Sequence, residues 1–138
     1  MEKVVGTYEG GLKVVLDARG LTFRADQTLE GGGENTGPMP SELLAGALAA
    51  CMGMDVAYYC NKVGLDPTAM RVETELESSD DKPYRAKSIR VRMTLPNAEL
   101  GKRRDAVIRV AESCYVHNSL ASDVSVALSI VGKDSADE

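Results

Sequence analysis

The sequence is poor in aromatic residues and in histidine, and it has no stripe of basic residues. Of its 138 residues none is Trp, one is Phe and one is His. A single histidine excludes a metal site built from several histidines and leaves one possible base for Ser-His-Asp chemistry. The formal net charge is −5, and this acidity argues against nucleic acid as a partner. Because aromatic residues are so few, the core must be built mainly from aliphatic side chains.

Cysteine is also sparse. Three cysteines are too few, and odd in number, for a disulfide-stabilised scaffold, and no Cys-x-x-Cys motif is present. The N-terminal residues lack the pattern of a signal peptide, and the longest uncharged segment, between Glu42 and Asp55, is shorter than the ~18 residues of a membrane span. We therefore expect a reduced, cytoplasmic protein with no membrane partner. Residues 1–132 should form one domain, followed by a polar, frayed tail over 133–138.

The pattern along the chain predicts an α+β fold. Short β-branched runs with glycine-bearing turns indicate an antiparallel meander, and residues 25–38 are interpreted as a flexible connector. Pro40 suits a helix start and Gly64 a helix end, and the residues between are apolar nearly all round, which is typical of a buried central helix. The rest is predicted as a hairpin, a second helix and a last strand, over 71–77 with 88–95, 98–115 and 124–131.

The cysteines lie at three distinct places in this scheme. Cys51 and Cys60 share the long helix but face opposite sides of it, because nine residues at about 100° each end half a turn out of phase. Cys114 falls near the end of the second helix, with His117 three residues on and on roughly the same face. Spacing alone does not pair Cys51 with Cys114. A free cysteine usually packs as a small apolar residue, and Cys60 is assigned that role.

Both motifs that contain Cys51 and Cys114 resemble those of one known family. The segment Gly37–Cys51, a Pro-led and Ala-rich helix, resembles the first cysteine motif of the osmotically inducible protein C and organic hydroperoxide resistance (OsmC/Ohr) family. The segment Ala111–Leu120, followed by a Val-rich strand, is similar to the second. The resemblance covers nearly the whole chain. It implies an OsmC-like fold, with antiparallel sheets around the central helix, and an intertwined homodimer whose active sites lie at the subunit interface.

The resemblance also implies a chemistry that needs no cofactor or metal. Cys51 would attack the peroxide and form a sulfenic acid, and Cys114 would resolve it as a disulfide for an external thiol to reduce. In the family's peroxidases an arginine held by a glutamate activates the first cysteine. Here Ser41 stands in the glutamate's position and Glu42 one place later, a Pro-x-Glu order closer to a less characterised branch. Arg24 is the first candidate for the arginine, and Arg19 is the second.

Three functions stay open at this stage. The first is a thiol-dependent peroxidase that acts on organic hydroperoxides or hydrogen peroxide through Cys51 and Cys114. The second is an OsmC-like protein that binds a small ligand or senses redox state without peroxidase turnover. The third is a metal site made by Cys114 and His117 from each chain of a dimer, which nothing else in the sequence supports.

Overall fold

The structure, a computed structural model, describes residues 1–135. They form two compact units, an N-terminal unit over Met1–Leu44 and a C-terminal unit from Ala45 on. Strands and helices follow one another in the order that the sequence pattern predicts, so the α+β class is confirmed, while the single domain over residues 1–132 stays a prediction. The elements in chain order are β1 (Val5–Tyr8), β2 (Val14–Ala18), β3 (Leu21–Ala25), α1 (Pro40–Val63), β4 (Arg71–Ser78), β5 (Ala86–Leu95), a 3-10 helix (Gly101–Arg103), α2 (Arg104–Glu112), α3 (Tyr115–Ser119) and β6 (Ser125–Gly132).

The N-terminal unit contains the predicted meander. Its three strands pair antiparallel in the order β1-β2-β3. Two residues with positive φ, Arg19 at 58° and Gly20 at 84°, make the tight turn between β2 and β3. Two residues of positive φ are typical of the hairpin turn whose twist matches that of the flanking strands. The Asp17 carboxylate supports this turn by accepting a hydrogen bond of 2.9 Å from the Gly20 N–H.

The segment predicted as a flexible connector is instead packed around one buried carboxylate. Asp26 is 2% exposed, and its oxygens accept hydrogen bonds from the backbone N–H groups of Gln27, Glu34 and Thr36 and from the Thr36 hydroxyl. A Cβ added at Gly37 would lie 2.1 Å from the Arg24 carbonyl oxygen, so the backbones meet too closely for any side chain. The expectation of a flexible connector was wrong, because composition does not show that one acid, Asp26, accepts hydrogen bonds from several groups of the loop.

The C-terminal unit is built on a mixed sheet in the order β4-β5-β6. The pair β4–β5 is the predicted antiparallel hairpin, and its register places Glu75 opposite Arg90 and Glu73 opposite Arg92, as acids facing bases. The pair β5–β6 is parallel, so the expectation of antiparallel sheets is wrong for this pair. The reason is topological, since the helical crossover between β5 and β6 allows the chain to return in the same direction.

One face of α1 packs in the core of the C-terminal unit. Leu48, Met52, Val56 and Cys60 recur at helical spacing and are fully buried. The other side of the helix is open, with Met54 71% and Tyr58 75% exposed, so burial all round is not seen in the single chain. Among the described residues α1 is the one helix long and apolar enough to cross a membrane, but the core helix of a soluble protein passes the same test. Its buried face favours that assignment.

The predicted second helix is interrupted just before Cys114. The helix α2 ends at Glu112, where the Ser113 hydroxyl donates to the Arg109 carbonyl oxygen at 2.6 Å, a local bond that competes with helix continuation. Cys114 is then extended, with φ −68° and ψ 151°, and α3 begins after it. The expectation of one helix over 98–115 is therefore wrong, and Cys114 and His117 do not share a face of it.

Part of the predicted tail is ordered. The Lys133 N–H donates to the Ala98 carbonyl oxygen at 2.8 Å, and the Asp134 carboxylate accepts from the N–H groups of Leu100 and Gly101. Fraying is thus wrong for residues 133–135, because Asp134 satisfies free N–H groups at the start of a helical turn. The remainder of that tail, residues 136–138, lies outside the described residues.

Candidate functional site

The fold of the C-terminal unit makes Cys51 and Cys114 neighbours. Cys51 lies on α1 and is partly buried, whereas Cys114 is completely buried. Cys51 packs against the buried cluster that contains Cys114, and it lies close enough to change the pKa of the Cys114 thiol. All three cysteines are reduced, so the two neighbours are thiols and not a disulfide. The two residues that the cysteine motifs single out are therefore neighbours in space, although 62 residues lie between them in the sequence.

The break between α2 and α3 positions the Cys114 sulfur. Because Cys114 is extended, it acts as the N-cap of α3, and its sulfur accepts a hydrogen bond of 3.3 Å from the His117 N–H. Sequence reasoning missed this break, since the apolar spacing of α2 runs on without a glycine or proline. The one local signal is Ser113, a residue type that bonds to its own backbone and favours helix ends.

The surroundings of Cys114 favour its neutral form. Burial raises the pKa of the Cys114 thiol, and its neighbours Cys51 and Asp55 raise it further. The N–H group of His117 acts in the opposite direction but does not outweigh them. Asp55 stands one helical turn after Cys51 on α1, so the charged neighbour of this thiol pair is an acid. At neutral pH Cys114 is therefore held as a thiol.

In the structure Arg24 is paired with an acid other than Glu42. Arg24, on β3, donates to both carboxylate oxygens of Glu9, from Nη2 at 2.6 Å and from Nε at 3.2 Å. These bonds raise the pKa of Arg24 and lower the pKa of Glu9. Glu42 is exposed in the first turn of α1, and Arg19 occupies the β2–β3 turn. The glutamate that holds Arg24 is thus Glu9, which no motif indicated because the two residues are brought together by the meander alone.

Arg24 and Glu42 belong to the N-terminal unit, and Cys51 belongs to the C-terminal unit. Their assignment as activators of Cys51 therefore stays a prediction. A guanidinium that is bound to a carboxylate is oriented and permanently charged. The acid bound to Arg24 in the N-terminal unit is Glu9, and the roles of Arg24 and Glu42 stay predictions.

His117 is placed by its own backbone contacts. Its Nδ1 lies 2.7 Å from the Glu112 carbonyl oxygen, and since a carbonyl only accepts, Nδ1 carries the proton. Within residues 1–135 no group of three or more His, Cys, Asp or Glu side chains is arranged to hold a metal ion. The Cys114–His117 metal hypothesis thus finds no support within one chain.

Cys60 is fully buried among apolar residues of the C-terminal unit, and burial raises the pKa of its thiol. It packs as a small apolar side chain, as predicted. The chain therefore divides its cysteines into a neighbouring pair and one core residue.

Comparison of the sequence with protein families gives one match. A family described as "OsmC-like protein" matches residues 32–129, which is more than half of the chain. The matched segment contains both Cys51 and Cys114. A comparison with curated proteins finds no match.

Comparison of the fold with solved structures gives several neighbours at low sequence identity. A protein from Psychrobacter arcticus ascribed to osmotic stress induction and the detoxification response has 22% identity and a TM-score of 0.86, over 94% of this chain and 96% of its own. An organic hydroperoxide resistance protein from Legionella pneumophila has 18% identity and a TM-score of 0.73, over 95% and 96%. Another, from Bacillus subtilis, has 19% identity and a TM-score of 0.68, over 94% and 97%. The fold is shared along nearly the full length of each.

Proposed function

We propose, from the premise that this chain belongs to the OsmC-like protein family, that it is a thiol-dependent peroxidase acting on organic hydroperoxides or hydrogen peroxide. The observation that carries this proposal is that Cys51 and Cys114 are neighbours in the packed C-terminal unit. A sulfenic acid is protected from irreversible over-oxidation when a second thiol lies close enough to condense with it as a disulfide. Two of the solved neighbours are themselves called organic hydroperoxide resistance proteins, which supports the same chemistry.

The first step oxidises Cys51. Its thiolate attacks the outer oxygen of the peroxide ROOH, an S–O bond forms and the O–O bond breaks. The alkoxide leaves and takes up a proton to give the alcohol ROH. Sulfur loses two electrons and becomes a sulfenic acid, and the peroxide gains them. Cys51 is suited to this step because it is partly exposed, whereas Cys114 is fully buried.

The second step uses Cys114. Its sulfur attacks the Cys51 sulfur, an S–S bond forms and the S–O bond breaks, and the hydroxide leaves as water with the proton from Cys114. Two equivalents of an external thiol, or one dithiol, then reduce the disulfide and are oxidised in turn. Because the surroundings keep Cys114 protonated, it does not compete with Cys51 for peroxide.

The test is titration of the reduced protein with cumene hydroperoxide. Free thiols are counted after each addition, and the product is mapped by mass spectrometry. The proposal expects loss of two of the three thiols and a Cys51–Cys114 link within one chain. Unchanged thiols under excess peroxide would exclude the peroxidase and favour a protein that binds a small ligand.

A redox sensor without turnover is the second candidate, and Asp55 is the observation that favours it. Its charge raises the pKa of Cys114, so the thiol pair has an acid where fast peroxidases have a cation. The two candidates differ in turnover. With dithiothreitol present, a peroxidase consumes many equivalents of peroxide for each protein chain, whereas a sensor consumes about one and then reacts no faster than the reductant alone.

The active form is proposed to be a cytoplasmic homodimer with the site near the subunit interface. Met54 and Tyr58 leave a large apolar area of α1 uncovered in the single chain, and such areas are typical of contacts between subunits. Light scattering after gel filtration measures the state directly. A monomer at micromolar concentration would remove the dimer from the proposal without affecting the assignment of the two thiols.

A further inference from the structure

The resolving step of the proposed mechanism needs a proton acceptor. The attacking species in thiol chemistry is the thiolate, whereas the surroundings of Cys114 hold it as a neutral thiol. Its S–H group must therefore give up a proton as the sulfur attacks Cys51. Because Cys114 is 0% exposed in the single chain, bulk water does not reach this proton, and a neighbouring side chain has to accept it.

Asp55 lies beside both cysteines. It follows Cys51 by four residues on α1, so the two side chains are neighbours on one face of the helix, about 6 Å apart along its axis. On its other side, Asp55 lines the same groove as Ser113, and Ser113 is the residue directly before Cys114. Helix spacing and the shared groove thus place this carboxylate at the thiol pair independently of its effect on the pKa of Cys114.

The Asp55 carboxylate is free to take up a proton. It is partly buried, and among residues 1–135 no group donates a hydrogen bond to it and no cation pairs with it. By contrast, Asp26 accepts four hydrogen bonds, which occupy its oxygens. Acids without a partner also occur on the exposed surface, as at Asp105 of α2. The feature that distinguishes Asp55 is therefore its position beside two thiols.

The remaining groups around Cys114 prepare it to lose its proton. From α3, the His117 N–H donates to the sulfur at 3.3 Å, which leaves the S–H group free to donate elsewhere and stabilises negative charge on the sulfur. The His117 ring is directed through Nδ1 to the Glu112 carbonyl oxygen, at 2.7 Å. From α2, Arg109 lines the groove with Asp55, and the buried cluster around Cys114 consists of apolar residues and the other cysteines. Asp55 is thus the one carboxylate that these described neighbours supply.

We propose that Asp55 accepts the proton of Cys114 as Cys114 attacks Cys51. The S–H electron pair of Cys114 becomes the S–S bond, and the S–O bond of the Cys51 sulfenic acid breaks, its electron pair leaving with hydroxide. The proton then passes from Asp55 to the hydroxide, which gives water and restores the carboxylate. The proposal rests on the proposed function for the oxidation of Cys51, but the disulfide step is the same in a peroxidase and in a redox sensor.

The test forms the same disulfide without peroxide. One equivalent of dithiobis(nitrobenzoate) converts Cys51 into a mixed disulfide and releases one thionitrobenzoate. Cys114 then attacks the Cys51 sulfur and releases the second, because the S–S bond to the reagent breaks in place of the S–O bond. The rate of the second release is followed by absorbance at several pH values. The full-length protein carries Cys60→Ala, so that the two thiols of interest are the only ones present.

The variants separate the roles of the side chain. Asp55→Asn removes the proton acceptor at nearly unchanged size, and Asp55→Glu keeps a carboxylate. Asp105→Asn makes the same change on the exposed surface of α2 and is the matched control. His117→Gln removes the ring that would be the alternative acceptor.

We expect Asp55→Asn to slow the second release on the order of 10²-fold at pH 7, a usual contribution of one positioned base. Its rate should rise steeply with pH, because only the Cys114 thiolate that forms unassisted then attacks. The difference from the unaltered protein should therefore shrink in alkaline solution. Asp55→Glu should retain part of the rate, Asp105→Asn should retain all of it, and His117→Gln should have a smaller effect than Asp55→Asn.

A faster second release in Asp55→Asn overturns the proposal, because the carboxylate would then act only by its charge, which disfavours the Cys114 thiolate. An unchanged rate overturns it, and so does slowing by the same factor at every pH, since a change in packing would explain that loss. A larger effect of His117→Gln assigns the proton to the imidazole and overturns it as well. Because no peroxide is used, failure of the cumene hydroperoxide titration leaves this assay valid, and failure of this assay leaves the oxidation of Cys51 by peroxide unaffected.

Discussion

Asp26 in the N-terminal unit and Cys114 in the C-terminal unit are both buried acids, and their surroundings shift their pKa values in opposite directions. Asp26 accepts four hydrogen bonds, which lower its pKa to about 2, the Thr36 hydroxyl contributing most. Cys114 accepts one backbone N–H group, and burial raises its pKa. The number of donors, and not burial itself, decides whether a buried acid is ionised. One acid is therefore fixed as an anion that organises a loop, and the other is kept as a thiol for reaction.

The largest expected effect is on peroxide consumption, and it distinguishes Cys51 from the other two cysteines. Cys51→Ser should reduce peroxide consumption by on the order of 10³-fold or more, because the hydroxyl is a far weaker nucleophile. Cys114→Ser should permit one turnover and then accumulate sulfinic acid at Cys51, detected as a gain of 32 Da, i.e. about two oxygen atoms. Cys60→Ala, on the same helix as Cys51, serves as the control and should retain consumption. Activity that survives Cys51→Ser would move the reaction to another residue.

The next effect tests whether the loop around Asp26 is as tightly packed as the structure shows. Gly37→Ala should lower the free energy of unfolding by about 1–3 kcal/mol, since the added methyl group meets the Arg24 carbonyl oxygen at 2.1 Å. Gly46→Ala is the matched control on α1, where an added Cβ meets nothing within 4 Å, and it should raise stability by about 0.5–1 kcal/mol. Chemical denaturation measures both. Equal effects at the two positions would mean that the loop yields freely.

A smaller effect, dependent on pH, tests the ionised state of Asp26. Since folding lowers its pKa from the usual value near ~3.9 to about 2, its contribution to stability is complete above pH ~4 and is lost as the pH falls through 2. Asp26→Asn should therefore lower the melting temperature by several degrees at pH 7, and the difference from the unaltered protein should shrink between pH ~4 and 2. Glu30→Gln, an exposed position in the same loop, should show no such dependence.

How much of this could be predicted from the sequence depends on whether the cause is local. Pro40 and Gly64 sit at the ends of α1, and the period of two in β4 and β5 is visible in the residues themselves, so these elements were predictable. The gathering of donors at Asp26 and the pairing of Arg24 with Glu9 depend on how the chain folds back, and no local pattern shows them. The pairing of Cys51 with Cys114 came from family resemblance, because spacing along the chain left it open.

The smallest effect concerns the order in which the thiols react with an alkylating agent. Cys51 should be labelled first by iodoacetamide at pH 7, because it alone among the cysteines is partly exposed. Labelling of Cys114 should lag and should accelerate as the pH rises, since burial and its neighbour Cys51 raise the pKa of its thiol and only the thiolate reacts. Peptide mapping over a series of pH values gives the rate at each site, with the core residue Cys60 as the internal reference for a thiol reached only by unfolding. Labelling of Cys114 as fast as Cys51 at pH 7 would show that its sulfur is already ionised, and the contrast between the two buried acids would then be lost.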